Sequence, residues 1–246
     1  MKTITALVLA ALCTAGQAAE IRVLSAGAVE PGLHAFAKLA KSQTGHDLKI
    51  QFNTAPQIAK RLAENEVYDI LISPPAAIAN AAKDGKVIAD TRVPVGRVGA
   101  GIIVRAGAAA PDVSTVDALG KALLAADAVV YNTASTGLYL DKLFAKMGVL
   151  EQLKPKTTRY PDGASVMEHV IKSKGSEIGF GAITEIRMYE PKGLKMIGPL
   201  PADVQNYTSY EAAVMTGAAA VEPARAVLKL LATPAGKAAF VSAGVE

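Results

Sequence analysis

DAVVYNTASTGLYLDKLFAKMG, residues Asp127 to Gly148, holds the pattern around which the chain is organised. Ala128 to Tyr131 is a β-branched and aromatic run that reads as a buried strand, whereas Leu138, Phe144 and Met147 recur at helical spacing. Between them, Asn132-Thr133-Ala134-Ser135-Thr136-Gly137 is a turn of small, neutral residues, with Ser135 or Thr136 placed to cap the helix that follows. A strand that ends in such a turn and feeds a helix leaves free backbone N–H groups at the positive helix end, which suits an anion. A single unit of this kind is common to all α/β proteins, so the reading depends on repetition.

The pattern recurs along the chain. Ile21 to Leu24 is a strand, Ser25-Ala26-Gly27-Ala28 a small-residue turn, and Pro31 opens a helix with Leu33, Phe36, Ala37 and Ala40 on one face. Leu48 to Phe52 alternates like a half-exposed strand and runs through Asn53-Thr54-Ala55-Pro56 into a helix carrying Ile58 and Leu62. Thr157 to Tyr160 is followed by the turn Asp162-Gly163-Ala164-Ser165 and by the apolar face Val166, Met167, Val170 and Ile171. Between these units Tyr68 to Ser73 reads as a buried parallel strand ahead of an alanine-rich helix that ends at Gly85. Ser114 with Asp117 predicts a capping box. Glu177 to Ile183, Leu194 to Ile197 and Tyr207 to Met215 are further strands, and Pro223 and Pro234 each open a helix. Val98 to Arg105 and Tyr207 to Met215 are the candidates to cross between two domains.

This alternation predicts an α/β fold of two doubly wound lobes joined by crossing strands, residues 20–99 with 212–246 forming lobe I and 100–211 lobe II. Ligands in such folds sit beyond the carboxyl ends of the strands, where all these turns would gather. At 246 residues and 51% hydrophobic content the chain can build such a core. Residues 1–19, with Lys2 and the apolar run Ile4 to Leu12, read as a cleavable secretory signal, too short to span a bilayer. Cys13 is the sole cysteine and lies within it, so the mature chain has no disulfide or thiolate site. Without Lys2 there are 25 basic against 22 acidic residues, too even a balance to argue for nucleic acid.

The chain resembles the periplasmic solute-binding proteins of ABC importers, in the molybdate-binding branch of the type II periplasmic binding fold. The resemblance is carried by Val23 to Ala28, Ile58 to Leu62 with Tyr68 to Ser73, Thr136 to Tyr139, Glu177 to Phe180, and Thr233-Pro234 to Gly244. It implies a periplasmic monomer that takes a small anion without cofactor or metal and passes it to an inner-membrane permease. Carried over residue by residue, the ligand positions are Ala28, Thr54 or Ala55, Thr136, Ala164 and Ala182, with the neighbouring hydroxyls Ser25, Ser135 and Ser165 available to the shell. Ala28 stands where similar molybdate binders have serine, and Ala182 where they have tyrosine. Each lost charge-assisted hydrogen bond would cost about 1.5–3 kcal/mol. Molybdate is therefore the default ligand, a small organic carboxylate the alternative, and an enzyme on the same fold the more distant one. No catalytic residue stands out: His34, His46 and His169 lack metal-ligand spacing, and the carboxylates are scattered.

Overall fold

The computed structural model describes residues 18–246, so most of the signal segment, with Lys2 and Cys13, lies outside the described residues. The strands are β1 (Glu20–Ala26), β2 (Asp47–Asn53), β3 (Ile70–Ser73), β4 (Val93–Arg105), β5 (Ala128–Asn132), β6 (Thr157–Tyr160), β7 (Glu177–Ala182), β8 (Leu194–Pro199) and β9 (Tyr207–Val214). The helices are α1 (Glu30–Thr44), α2 (Ala55–Ala63), α3 (Pro75–Lys83), α4 (Val116–Ala125), α5 (Ser135–Lys146), α6 (Leu150–Leu153), α7 (Gly163–Lys172), α8 (Ile183–Tyr189), α9 (Val221–Leu231) and α10 (Pro234–Val241). No described helix is long and apolar enough to cross a membrane.

The strands run in the order β2-β1-β3-β9-β4-β7-β5-β6, with β8 also on β4. Parallel pairing holds for β2-β1-β3 at one end and β6-β5-β7 at the other, as strand-helix alternation requires. The middle is antiparallel, which the alternation alone does not predict. There β4 makes the crossing: Val93 to Gly99 pairs with β9, and Ala100 to Ile103 pairs with β7. The chain re-enters the first sheet at Tyr207, so the expected division at 211/212 falls inside β9.

Each end of the curled sheet has its own core. In the first, Ile21 and Leu24 of β1, Leu33 and Phe36 of α1, Ile70 to Ile72 of β3, Leu231 of α9 and Phe240 of α10 are buried together. In the second, alternation along the strands sends side chains to both faces. Ile102, Val129, Tyr131 and Phe180 meet Leu123 of α4 and Phe144 of α5, while Ile103 and Val130 meet Val166, Val170 and Ile186 of α7 and α8. Phe144 lies edge-on to Tyr131 and Phe180, each at 5.7 Å. Side chains of this size stabilise by roughly 1.5–3 kcal/mol each when fully buried, so both ends hold themselves together without a disulfide.

Two helix starts differ from expectation. The cap of α4 is Thr115, whose hydroxyl accepts from the Ala118 N–H, whereas Ser114 donates its own N–H to Asp112 Oδ1. Neither Ser135 nor Thr136 caps α5: Asn132 Oδ1 accepts the N–H groups of Ala134 at 3.0 Å and Gly137 at 3.1 Å. The sequence also gives no sign of α8, a short helix held by packing on α1 and against β4 rather than by its own periodicity.

Candidate functional site

Strand β1, which ends at Ala26, runs directly into a 3-10 turn over Gly27–Val29, and β2, β5 and β7 each end within two residues of the next helix. Because β4 and β9 fold the two ends of the sheet towards each other, these turns face one cleft. Its wall is formed from one side by Gly27, Ala28, Thr54, Ala55 and Tyr210, and from the other by Asn132, Ser135, Thr136, Gly163, Ala182 and Glu185. No lysine, arginine or histidine is among the lining residues. Negative charge on a ligand is met by backbone N–H groups and hydroxyls.

Each helix start is arranged to leave those donors free. At α5, Asn132 takes the flanking N–H groups and leaves Ser135 and Thr136 directed to the cleft with no partner for their N–H groups or hydroxyls among the described residues. Gly137 is required because a Cβ there would run into the Asn132 carbonyl. That carbonyl also accepts from Arg159 Nε at 3.1 Å and Nη2 at 2.9 Å, and the same guanidinium is paired with Asp141 at 3.0 Å. Arg159 is thereby committed to holding the turn. At α7, Asp162 caps the helix by accepting the Ser165 N–H at 2.8 Å. At α2, Gln57 Oε1 accepts the Thr54 N–H at 2.8 Å. Thr54 Oγ1 and Asn53 Oδ1 are then buried at the cleft wall without a partner, which is costly for polar atoms unless something else satisfies them.

The one ionisable carboxyl in the wall is Glu185, in the first turn of α8. It accepts no hydrogen bond from any described residue. The carboxyl lies against both sides of the cleft: a Cβ on Gly27 would sit 3.0 Å from Oε1, and one on Gly163 would collide with Oε2. Burial, with the charges of Glu30 and Asp162 adding to it, pushes this carboxyl up to about 7. Beside it, burial chiefly, and then the Glu185 charge, push the Tyr210 phenol well above its ordinary value, leaving it a neutral donor. Thr184 anchors α8 to the other side by donating to the Ala28 carbonyl at 2.5 Å.

Of the positions expected from the sequence, Ala28, Thr54, Ala55, Ser135 and Thr136 line this cleft, and Ala182 joins them. Ser25 does not: it is fully buried in β1 with its hydroxyl donating to the Ala26 carbonyl. Ala164 is exposed, and its neighbour Gly163 occupies the wall instead. Ser165 lies in a separate hollow with Tyr160, His169 and Lys172. Sequence reasoning passed over Asn132, Tyr210 and Glu185. No local signal marks Glu185: Gly181-Ala182 ends β7, and the helix α8 that carries the residue has no periodicity of its own in the sequence. The histidines are engaged elsewhere. His169 bridges Tyr160 at 2.8 Å and Glu177 at 2.7 Å, His34 approaches Glu30 at 3.5 Å, and His46 faces the Ala19 N–H at 3.2 Å. Among the described residues no cluster suited to a metal ion occurs.

Comparison with known proteins shows the family and the fold. A family model described as bacterial extracellular solute-binding protein matches residues 21–246. A curated relative from Pseudomonas sp, named aconitate isomerase, is 29% identical over 232 residues, covering 92% of this chain and 87% of the relative. The periplasmic molybdate-binding protein of Azotobacter vinelandii superposes with a TM-score of 0.74 at 16% identity, covering 92% of this chain and 98% of that one. The sulfate-binding protein SubI of Mycobacterium tuberculosis gives a TM-score of 0.74 at 18% identity, over 92% and 86% of the two chains. At these identities the two structures are similar in fold alone.

Proposed function

The chain belongs to the bacterial extracellular solute-binding protein family, and from that premise we propose that it captures a small organic carboxylate in the cleft between its lobes. Glu185 is the observation that carries the reading. A fully ionised tetrahedral oxyanion brings no proton to this carboxyl and is repelled by it once it ionises, by about 4 kcal/mol per unit of its charge at 4 Å and an effective dielectric of 20. An organic acid offers a different fit. Its carboxylates meet the N–H groups at the starts of α2, α5 and α7, while a C–H or O–H faces Glu185. Ala28 and Ala182 in the wall give an oxyanion no hydroxyl. The Pseudomonas relative named for aconitate, a tricarboxylate, supports the same ligand class.

In this reading the first 19 residues direct export, the mature monomer works in the periplasm, and the loaded protein docks on the permease of an ABC importer. The molybdate-like oxyanion expected from the sequence is the competing ligand. Calorimetry and thermal-shift titration of the mature protein compare cis-aconitate, trans-aconitate, citrate and succinate with molybdate, tungstate and sulfate. Saturable binding of a carboxylate, with the oxyanions inert, is the expected outcome. Tight oxyanion binding with no carboxylate response would overturn it.

A further inference from the structure

We infer that Glu185 moves a proton on the bound acid, so that the cleft isomerises an unsaturated polycarboxylate as well as holding it. This rests on the carboxylate reading above and departs from the sequence expectation of a binding protein without catalysis. The placement of Glu185 motivates it. The neighbouring carboxylates have structural partners: Asp162 caps α7, and Glu30 lies beside His34. Glu185 has none, and Gly27 and Gly163 lack the side chains that would crowd its two oxygens. A carboxyl in the cleft wall, free of other bonds, is placed to take a proton from a bound acid and to return it.

The chemistry follows from what surrounds it. In an acid with a methylene group between a carboxylate and a C=C bond, the ionised Glu185 removes a methylene proton. The C–H bond breaks and its electron pair forms a new C=C bond. The pair of the old C=C bond shifts to the far carbon and delocalises into the carboxylate attached there. Glu185, now protonated, returns the proton to that far carbon. Substrate and product are isomers, so no oxidant, reductant or co-reactant enters. The charge that builds on the second carboxylate meets the unpartnered N–H groups at the helix starts, fixed donors whose orientation precedes the reaction. A carboxyl held near 7 is also a stronger base than an ordinary carboxylate while remaining partly ionised at neutral pH.

The test is proton NMR of trans-aconitate with the mature protein in deuterium oxide, paired with calorimetry on the same samples. Wild type should bind trans-aconitate, replace its methylene protons by deuterium and produce the cis isomer. Glu185→Gln, studied under conditions where calorimetry shows it saturated with trans-aconitate, should lose exchange by about 10²–10⁴-fold. Glu185→Asp, which keeps the carboxyl but shortens its reach, should recover part of it. The rate should rise with pH through neutrality in wild type, where Glu30, Asp162, Tyr189 and Tyr210 are the titratable groups coupled to Glu185. Binding by wild type without exchange or isomerisation overturns this inference and leaves the carboxylate reading in place. Undiminished exchange by saturated Glu185→Gln removes Glu185 from the role. Absence of binding by any carboxylate overturns the reading beneath both.

Discussion

Glu185 also makes folding stability depend on pH, because its carboxyl titrates near 7 in the fold and near its ordinary 4.5 when exposed. Below about 4.5 both states hold the proton and the residue costs nothing. As pH rises towards 7 the unfolded chain releases its proton first, so stability falls, and above 7 the full cost is present, up to about 3 kcal/mol. Glu185→Gln should therefore melt together with wild type at pH 4 and several degrees above it at pH 8.5, a comparison that calorimetric or circular-dichroism melts can make. An equal difference at both values would contradict this electrostatic account. At the same scale, Thr54, Ser135 and Thr136 were legible in the sequence because a hydroxyl in a turn after a strand has few roles open to it. Glu185 was not legible, since nothing local separates it from Glu190 or Glu177; its character comes from burial and, after that, from the charges of Glu30 and Asp162, all of which only folding supplies.

Elements follow from the sequence where period and punctuation agree, and depart from it where a side chain outside the turn does the work of a local one. Helix α5 shows both. Its strand, turn and apolar face follow from the sequence, but its cap is Asn132, the last residue of β5, reaching forward over the turn. That substitution of roles is what leaves Ser135 and Thr136 free at the cleft. Asn132→Ala strands two buried N–H groups and should destabilise by roughly 1–3 kcal/mol, measured by urea denaturation, while also weakening ligand binding. Gly137→Ala should cost about 1–3 kcal/mol as well, because its Cβ has no room beside the Asn132 carbonyl. An unchanged denaturation midpoint for Gly137→Ala would show that the turn can shift without loss. The absence of any prediction for α8 has the same origin: ITEIRMY is too short to nucleate a helix, and α1, β4 and β8 hold it in place.

For the whole molecule, ligand linkage gives the simplest check. An acid held by both sides of the cleft favours the folded state, and at 100 times its dissociation constant it should add about 2.7 kcal/mol. For a chain of this length that corresponds to a rise of roughly 5–10 °C in melting temperature. The rise should grow with the logarithm of carboxylate concentration and shrink in a Ser135→Pro variant, which removes one N–H donor at the first helical position, where proline suits a helix start. A melting temperature that ignored the carboxylate would count against a ligand bridging the lobes.

By itself the sequence determined the α/β class, the strand-turn-helix units and the uncharged turns, because apolar period, small turn residues and proline placement act over a few residues and are written in order along the chain. The tertiary structure alone decided the antiparallel centre of the sheet, the convergence of the turns and the presence of a carboxyl among them. Those features depend on β4 leaving one sheet for the other and on β9 returning. Contacts between residues so far apart in the chain are fixed by packing and electrostatics that no local pattern encodes.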